Sequence, residues 1–181
     1  MRYVFQLLVA ATIAFIVIAV IALRRPAEPP PPVLGPAPAF HMQDQTGAAF
    51  SSDDLRGKVW IADFVFTRCQ GPCPLMTAHM KQLAQALAGE ADVRFVSFTM
   101  DPKFDKPPVL AKYAEQFGAS AEPRWRFVTC DVPHDMEAVS IAGFKLAGDA
   151  TEGAVIHSAR FILVDRAGRI RGYFDGQSEE M

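Results

Sequence analysis

The stretch VWIADFVFTRCQGPCPLM, residues 59–76, decides the fold. Its first part, VWIADFVF (59–66), is a nearly continuous apolar run, which is typical of a central strand covered on both faces. The prolines at positions 72 and 74 favour the opening turn of a helix, because no backbone donor is needed there. We therefore predict a buried strand that leads directly into a helix, and we expect the helix to close at Gly89.

Apolar patterns on either side of this stretch predict further strands and helices in alternation. They are a hairpin with its turn at residues 44–47, strands at 93–100 and 125–130, helices at 108–117 and 134–142, and a final hairpin made of 160–165 and 169–174. Strands that alternate with helices and end in a hairpin indicate an α/β sandwich of the thioredoxin type. We expect that fold for the part of the chain that follows the N-terminal region.

The N-terminal region has the composition of a membrane anchor. Residues 3–23 carry no charge, and a helix of that length would be roughly 31 Å long, close to the hydrocarbon thickness of a bilayer. A cleaved secretory signal has a shorter apolar region, so an uncleaved transmembrane helix within residues 1–25 is the favoured interpretation. Positive charges flank both ends of the span and do not decide its orientation.

A proline-rich segment separates this span from the rest of the chain. Seven of the 14 prolines fall within residues 26–38, a composition that favours an extended, semi-rigid polyproline II linker. The domain that we expect to fold then covers residues 39–181. A formal net charge of −2 argues against a nucleic-acid binder, and three cysteines are too few for a disulfide-rich scaffold.

Cys69 and Cys73 are the residues best suited to chemistry. Cys69 comes just after the predicted strand, and Cys73 lies in the opening turn of the predicted helix, at the edge of an α/β sheet where ligands bind. Amides at a helix start stabilise a thiolate, so we expect lowered pKa values for both thiols and availability to a metal or a disulfide. The alternative interpretation is a pair of buried structural cysteines.

A single metal ion held by two thiolates needs a third ligand, and four histidines compete for that role. His157 lies just ahead of the strand predicted at 160–165, in a stretch that packs beside the cysteine turn in thioredoxin-like sheets. From the residues alone, a structural role for His157 stays open. We expect the other histidines to point elsewhere or to be solvated, namely His79, six positions beyond Cys73 on the helix, and His41 and His134, which lie in loops.

Several residues near the motif have two interpretations each. Met76 and Met80 share a helical face with the cysteines and could assist copper through their thioethers, but methionines at this spacing are usually core residues. Cys130 has no partner nearby in the sequence, and we expect a buried free thiol. Asp101 and Asp105 follow the strand predicted at 93–100, where they either cap a loop or orient a ligand.

Three motifs of this chain resemble the Sco/SenC family, from about residue 40 to residue 176. They are FTRCQGPCPLMT (66–77), SFTMDPKFD (97–105), and the combination of HS (157–158) with LVDRAG (163–168). The resemblance implies a membrane-anchored, thioredoxin-like copper protein that assists assembly of the dinuclear copper centre of cytochrome c oxidase. It also implies that Cys69, Cys73 and His157 are the ligands of one copper ion per chain. Cys130 departs from the family's pattern, as does the ending GQSEEM (176–181), where relatives usually continue into a last helix.

The ligand chemistry favours copper independently of the family, because thiolates are soft ligands, whereas zinc usually needs a fourth ligand.

The resemblance further implies a role and a place in the cell. We expect a metallochaperone rather than an enzyme, with the copper-site subunit of the oxidase and a periplasmic copper donor or thioredoxin-like reductant as partners. The expected location is the bacterial plasma membrane with the domain facing the periplasm, the mitochondrial inner membrane being the alternative. Rival hypotheses are a thiol–disulfide oxidoreductase that keeps the oxidase subunit's cysteines reduced, and a tethered adaptor without chemistry.

Overall fold

The computed structural model describes four stretches of the chain. They are residues 2–6, 12–15, 29–146 and 159–178. The chain divides into two compact units, residues 1–31 and residues 32–181, and the described parts 2–6 and 12–15 of the first unit are helical. Most of the predicted anchor lies outside the described residues. Among those that are described, no helix has the length and apolar character needed to cross a bilayer.

Eight strands among the described residues of the second unit form one mixed sheet. In chain order they are β1 (Gly35–Pro36), β2 (His41–Asp44), β3 (Ala49–Ser51), β4 (Val59–Val65), β5 (Val93–Thr99), β6 (Trp125–Thr129), β7 (Arg160–Val164) and β8 (Arg169–Asp175). The order across the sheet is β1-β8-β7-β4-β5-β6-β2-β3. The helices are α1 (Cys73–Ala86), α2 (Pro107–Gln116) and α3 (Pro133–Glu137), with a 3₁₀ turn at Ser52–Leu55 and a π-helical turn at Ala138–Gly143.

The apolar run that precedes the cysteines forms β4 at the centre of the sheet, as predicted. It pairs in parallel with β5 and antiparallel with β7, and every residue of β4 after Val59 is buried. Strands β5 and β6 also run parallel to each other. The three strands β4, β5 and β6 therefore end on the same side of the sheet, which we name the carboxyl edge.

Alternating side chains supply a hydrophobic core on each face of the sheet. In β5, Phe95 packs on one face with Met76 and Met80 of α1. Phe98 packs on the opposite face, where its ring lies 6.0 Å from that of Phe144. Residues of α1 and α2 close the first core, and residues of α3 and the π-helical turn close the second. This layering confirms the predicted α/β sandwich.

Both predicted hairpins form, and the sheet begins earlier in the chain than expected. Gly47 closes the β2–β3 turn with φ +82°, a conformation that favours glycine, and its amide donates to the carbonyl of Asp44 at 2.9 Å. Strand β1 pairs with β8 and lies within the segment predicted as a linker, residues 26–38. Pro36 is tolerated there because an edge strand does not need every backbone donor.

Two helices differ in detail from the sequence predictions. Helix α1 begins at Cys73 as expected but ends at Ala86, and the turn that follows runs to Gly89. The helix predicted over residues 134–142 becomes a π-helical turn after α3. In that turn the Ser140 hydroxyl donates to the carbonyl of Met136 at 2.8 Å, the acceptor that the Ser140 amide would use in a regular helix.

Candidate functional site

The two cysteines of the motif lie together at the carboxyl edge. Cys69 belongs to the loop after β4 (residues 66–72, the cysteine loop), and Cys73 is the first residue of α1. The Cys69 amide donates to the carbonyl of Phe66 at 3.1 Å, and the Gly71 amide donates to Cys69 Sγ at 3.4 Å. Both cysteines are buried in a small apolar cluster, with 9% of Cys69 and 3% of Cys73 exposed. The structure therefore brings the pair together, as their spacing predicts.

The electrostatics of the pair correct one expectation from the sequence. Burial raises the pKa of the Cys73 thiol to about 12, with further raising contributions from a hydrogen bond with Cys69 and from the negative charge of Asp63. The prediction of a lowered pKa is therefore wrong for Cys73, because removal from water outweighs the stabilisation offered by the helix-start amides. At neutral pH this sulfur stays a thiol until a cation displaces its proton.

Asp63 is a buried carboxyl in the middle of β4. Its residue is 0% exposed, and no described residue makes a hydrogen bond of good geometry with either carboxyl oxygen. Burial raises the pKa of Asp63 to about 7, and the hydroxyl of Ser97, its register partner on β5, offsets only part of that effect. The signal for this residue in the sequence is that Asp63 is the one charged residue within the apolar run 59–66.

Asp105 connects the cysteine loop to the loop after β5 (residues 100–106, the aspartate loop). Its carboxylate accepts the Thr67 amide at 3.0 Å and also accepts the hydroxyls of Thr67 and Thr99. Asp105 itself is 0% exposed. The sequence left open whether Asp105 caps a loop or orients a ligand. In the structure its carboxylate joins the aspartate loop to the cysteine loop.

Arg68 and Asp101 form the solvent-facing side of the same two loops. The Arg68 guanidinium donates to the Asp101 carboxylate, and its central carbon lies 4.1 Å from the centre of the Phe104 ring. The side chain of Arg68 is 59% exposed, and Phe104 is also exposed. A cation over an aromatic face is a favourable contact. Arg68, the residue directly before Cys69, therefore links the cysteine loop to the aspartate loop.

The other histidines and the methionines behave largely as predicted. Met76 and Met80 are both 0% exposed and belong to the core between α1 and the sheet. His41 and His134 are exposed. His79 is buried, and its Nδ1 lies 2.9 Å from the carbonyl oxygen of Gly176. His41 is the first residue of β2 and His134 lies in α3, so the prediction that both lie in loops is wrong, although both side chains are exposed as expected. The burial of the two methionines agrees with the prediction, and the buried bond of His79 was not predicted.

Cys130 is a buried free thiol, as expected, and lies directly after β6. Its Sγ donates to the carbonyl of Val132 at 3.0 Å, and burial raises the pKa of the thiol. Cys130 belongs to the core on the opposite face of the sheet from the main α1 core, whereas Cys69 and Cys73 form their own cluster. Within the described part of the chain, Cys130 and the motif cysteines thus belong to separate clusters.

The predicted third ligand, His157, lies outside the described residues. Ala159, two positions later, is described, and its carbonyl accepts the Gly176 amide at 2.8 Å. Within the part of the chain that the structure describes, no three His, Cys, Asp or Glu residues come together in a group that could hold a metal ion. The described site therefore consists of two soft sulfur donors, and the role of His157 stays a prediction.

Comparison with known proteins gives the pair a context. The family model described as SCO1/SenC matches residues 34–181. The SCO1 protein homolog of Bacillus subtilis (strain 168) is 39% identical over 140 residues, which cover 76% of this chain and 72% of the relative. A protein of Stutzerimonas stutzeri that is named for copper binding is 28% identical over 141 residues, covering 75% of this chain and 67% of the relative.

Solved structures agree with the family match. BsSco, described as a member of the Sco family of cytochrome c oxidase assembly proteins with a disulfide switch, superposes with a TM-score of 0.72 at 36% identity. The match covers 83% of this chain and 90% of BsSco. The thioredoxin-like character predicted for the α/β sandwich is confirmed by this similarity.

Proposed function

This chain belongs to the SCO1/SenC family, and we propose that it is a membrane-anchored copper metallochaperone for the dinuclear copper centre of cytochrome c oxidase. The observation that carries the proposal is the buried pair Cys69 and Cys73 at the carboxyl edge. The name of the Stutzerimonas stutzeri relative and the assembly role stated for BsSco support copper and the oxidase respectively.

The chemistry of the pair favours copper over other metals. Two thiolates are soft ligands that select Cu(I), and with a nitrogen ligand they also suit Cu(II). Zinc sites in proteins are usually closed by four ligands. The raised pKa of Cys73 means that a metal must displace a proton from a buried thiol, which a thiophilic cation does more readily than a hard one. The metal is then held in apolar surroundings, as cargo rather than as a structural element.

His157 completes the proposed ligand set. Strand β7 runs antiparallel to β4, with Ala62 opposite Ile162, so β7 begins at the edge of the sheet where β4 ends. His157 precedes Arg160, the first residue of β7, by three positions in the sequence. This topology supports an imidazole ligand that approaches the cysteine loop from the neighbouring strand.

The N-terminal region supplies the proposed location. An uncharged run at residues 3–23 and a proline-rich segment at 26–38 suit a single transmembrane helix followed by a spacer. We place the folded unit on the periplasmic side of a bacterial plasma membrane. A tether raises the effective concentration for a partner in the same membrane, so the proposed recipient is the copper-site subunit of the oxidase. A periplasmic copper donor or a thioredoxin-like reductant would load or reset the site.

Thiol–disulfide exchange is the second candidate function. Cys69 and Cys73 are free thiols packed in one cluster, and BsSco is described as having a disulfide switch. In this reaction the two thiols would become one disulfide, and the two electrons and two protons would reduce a disulfide of the oxidase subunit. The reaction requires both cysteines but no histidine.

A cellular experiment separates the two functions, because only copper delivery needs His157. Cells lacking the native protein would express the His157→Ala variant at limiting copper, with His134→Ala as the matched control at an exposed histidine. Copper delivery predicts low oxidase activity in His157→Ala that added copper restores, and normal activity in His134→Ala. Normal activity in His157→Ala would reject the metallochaperone and favour the oxidoreductase.

A further inference from the structure

We propose that Asp105 is a positioning residue for Cys69, which holds the cysteine loop in the conformation that presents the Cys69 thiol beside Cys73. The inference rests on the proposed copper function and assigns the aspartate loop a part in it. Asp105 acts through Thr67 and is not itself proposed as a ligand.

Among the described residues, three donors converge on the Asp105 carboxylate. They are the Thr67 amide, the Thr67 hydroxyl and the Thr99 hydroxyl. The carboxylate is 0% exposed, and a buried charge is costly unless hydrogen bonds satisfy it. Because the donors come from both β4's loop and the end of β5, the carboxylate can be satisfied only while the two loops keep their present relative arrangement.

The aspartate loop is held in place by hydrogen bonds of its own. The Asp105 amide donates to the carbonyl of Asp101 at 2.8 Å, and the Asp101 amide donates to the Thr99 hydroxyl oxygen at 3.0 Å. At the base of the loop, the Met100 amide donates to the carbonyl of Val65 at 2.8 Å and so extends the β4–β5 pairing to the carboxyl edge. These bonds define where the Asp105 carboxylate can lie.

The cysteine loop depends on this template over a short distance. Thr67 is two residues before Cys69 and one after Phe66, whose carbonyl accepts the Cys69 amide at 3.1 Å. Anchoring Thr67 by both its amide and its hydroxyl therefore fixes the turn from which the Cys69 side chain projects. A metal site with few ligands loses affinity when the residues that orient a ligand are removed, by about 10- to 100-fold in typical cases.

The test measures copper binding by the reduced full-length protein in detergent, for wild type and for Asp105→Asn, Thr67→Val and the control Asp131→Asn. Asn keeps the size of Asp105 but turns one acceptor into a donor. Valine at position 67 removes the hydroxyl and keeps the amide. Asp131 is exposed, and its Oδ1 lies 3.9 Å from Nζ of Lys106.

We expect Asp105→Asn to weaken Cu(I) binding about tenfold or more and to shift the Cu(II)–thiolate absorption. Thr67→Val should give a smaller change in the same direction, and Asp131→Asn should give none.

Two further measurements distinguish positioning from a general loss of stability. Circular dichroism at the temperature of the copper titration should show the same folded fraction for Asp105→Asn as for wild type, whereas a general loss of stability would lower the copper affinity only as far as the folded fraction falls. In the metal-free protein, Asp105→Asn should speed alkylation of Cys69 several-fold, while alkylation of Cys130 stays unchanged.

The outcomes separate this inference from the proposed function. Wild-type copper affinity and absorption in both Asp105→Asn and Thr67→Val would overturn the positioning role, as would a loss of affinity that is fully accounted for by a smaller folded fraction. If Asp105→Asn does not fold, Thr67→Val alone decides by the same criteria. If the wild type binds no copper, the proposed function fails, and the alkylation rates of Cys69 still decide whether Asp105 orders the cysteine loop.

Discussion

His79 and Gly176 are joined by a hydrogen bond of 2.9 Å between the imidazole Nδ1 and the backbone carbonyl oxygen. The bond connects α1, which begins at Cys73, to the residue that follows β8. The Gly176 amide in turn donates to the carbonyl of Ala159 at 2.8 Å, just ahead of β7. A Cβ atom at position 176 would lie 3.2 Å from Cε of Met76 and 3.3 Å from that carbonyl oxygen, so glycine permits the close approach.

Replacing His79 by Leu should destabilise the folded unit by about 1–3 kcal/mol, because it leaves the buried Gly176 carbonyl without its partner. Urea unfolding of the reduced, metal-free protein measures the change, with His134→Leu as the control at an exposed histidine. Equal unfolding midpoints for His79→Leu and wild type would show that the bond contributes nothing.

Asp63 should make the stability of the folded unit depend on pH. Burial raises the pKa of Asp63 from 3.8 to about 7, so the folded chain holds this proton more tightly than the unfolded chain does. The resulting stability is present in full below pH 3.8 and is lost as the pH rises to about 7, by up to roughly 4 kcal/mol.

Asp63→Asn removes the titrating group and should remove this loss. The free energy of unfolding of metal-free protein at pH 5 and pH 8 provides the measurement, with Asp53→Asn as the control at an exposed carboxylate. We expect the variant to gain stability relative to wild type as the pH is raised, and the control to follow the wild type. A wild type that is no less stable at pH 8 than at pH 5, with Asp63→Asn behaving identically, would contradict the assignment.

The Cys73 thiol should be unreactive in the reduced, metal-free protein. Burial raises the pKa of Cys73 well above its ordinary value, so the thiolate, which is the reactive form, is a small minority at pH 8. Mass spectrometry after brief iodoacetamide treatment should find Cys73 modified far more slowly than in the same chain unfolded in urea. Equal rates in the folded and unfolded chains would mean that burial does not control this thiol.

Oxidation should join Cys69 to Cys73 and abolish copper binding, because sulfurs bonded to each other have no thiolate to offer a metal. Diamide treatment followed by peptide mapping identifies the bridge, and copper titration of the product measures the loss. Cys130, which lies in a different core, should remain a free thiol. A bridge from Cys130 to either motif cysteine would contradict the described placement of the three residues.

Sequence patterns predicted the elements whose signals are local. The apolar run of β4, the prolines ahead of α1 and the turn at Asp44–Gly47 each determine nearby backbone, and both cysteines were found through the same junction. Other features depend on residues far apart in the chain. Strand β1 exists because Gly35 pairs with Ile170 of β8. The composition of a proline-rich segment does not indicate that partner.

The same distinction explains the errors at the site. A helix start is visible in the sequence and predicts a lowered thiol pKa, but the burial that raises the pKa of Cys73 is the sum of packing from several elements. The bonds of Asp105 to Thr67 and of His79 to Gly176 join positions 38 and 97 residues apart. The sequence can mark a carboxylate near a strand end as significant, but it does not show which groups donate hydrogen bonds to that carboxylate.

Copper stoichiometry tests the proposed site most directly. The full-length protein, reduced and in detergent, would be titrated with Cu(I) as wild type, Cys73→Ser and Cys130→Ser, and the bound metal counted after removal of excess ligand. We predict one tightly bound copper ion per chain for wild type and for Cys130→Ser, and none for Cys73→Ser, because an alcohol oxygen is a hard ligand that keeps its proton. Retention of one copper ion per chain by Cys73→Ser would contradict the site.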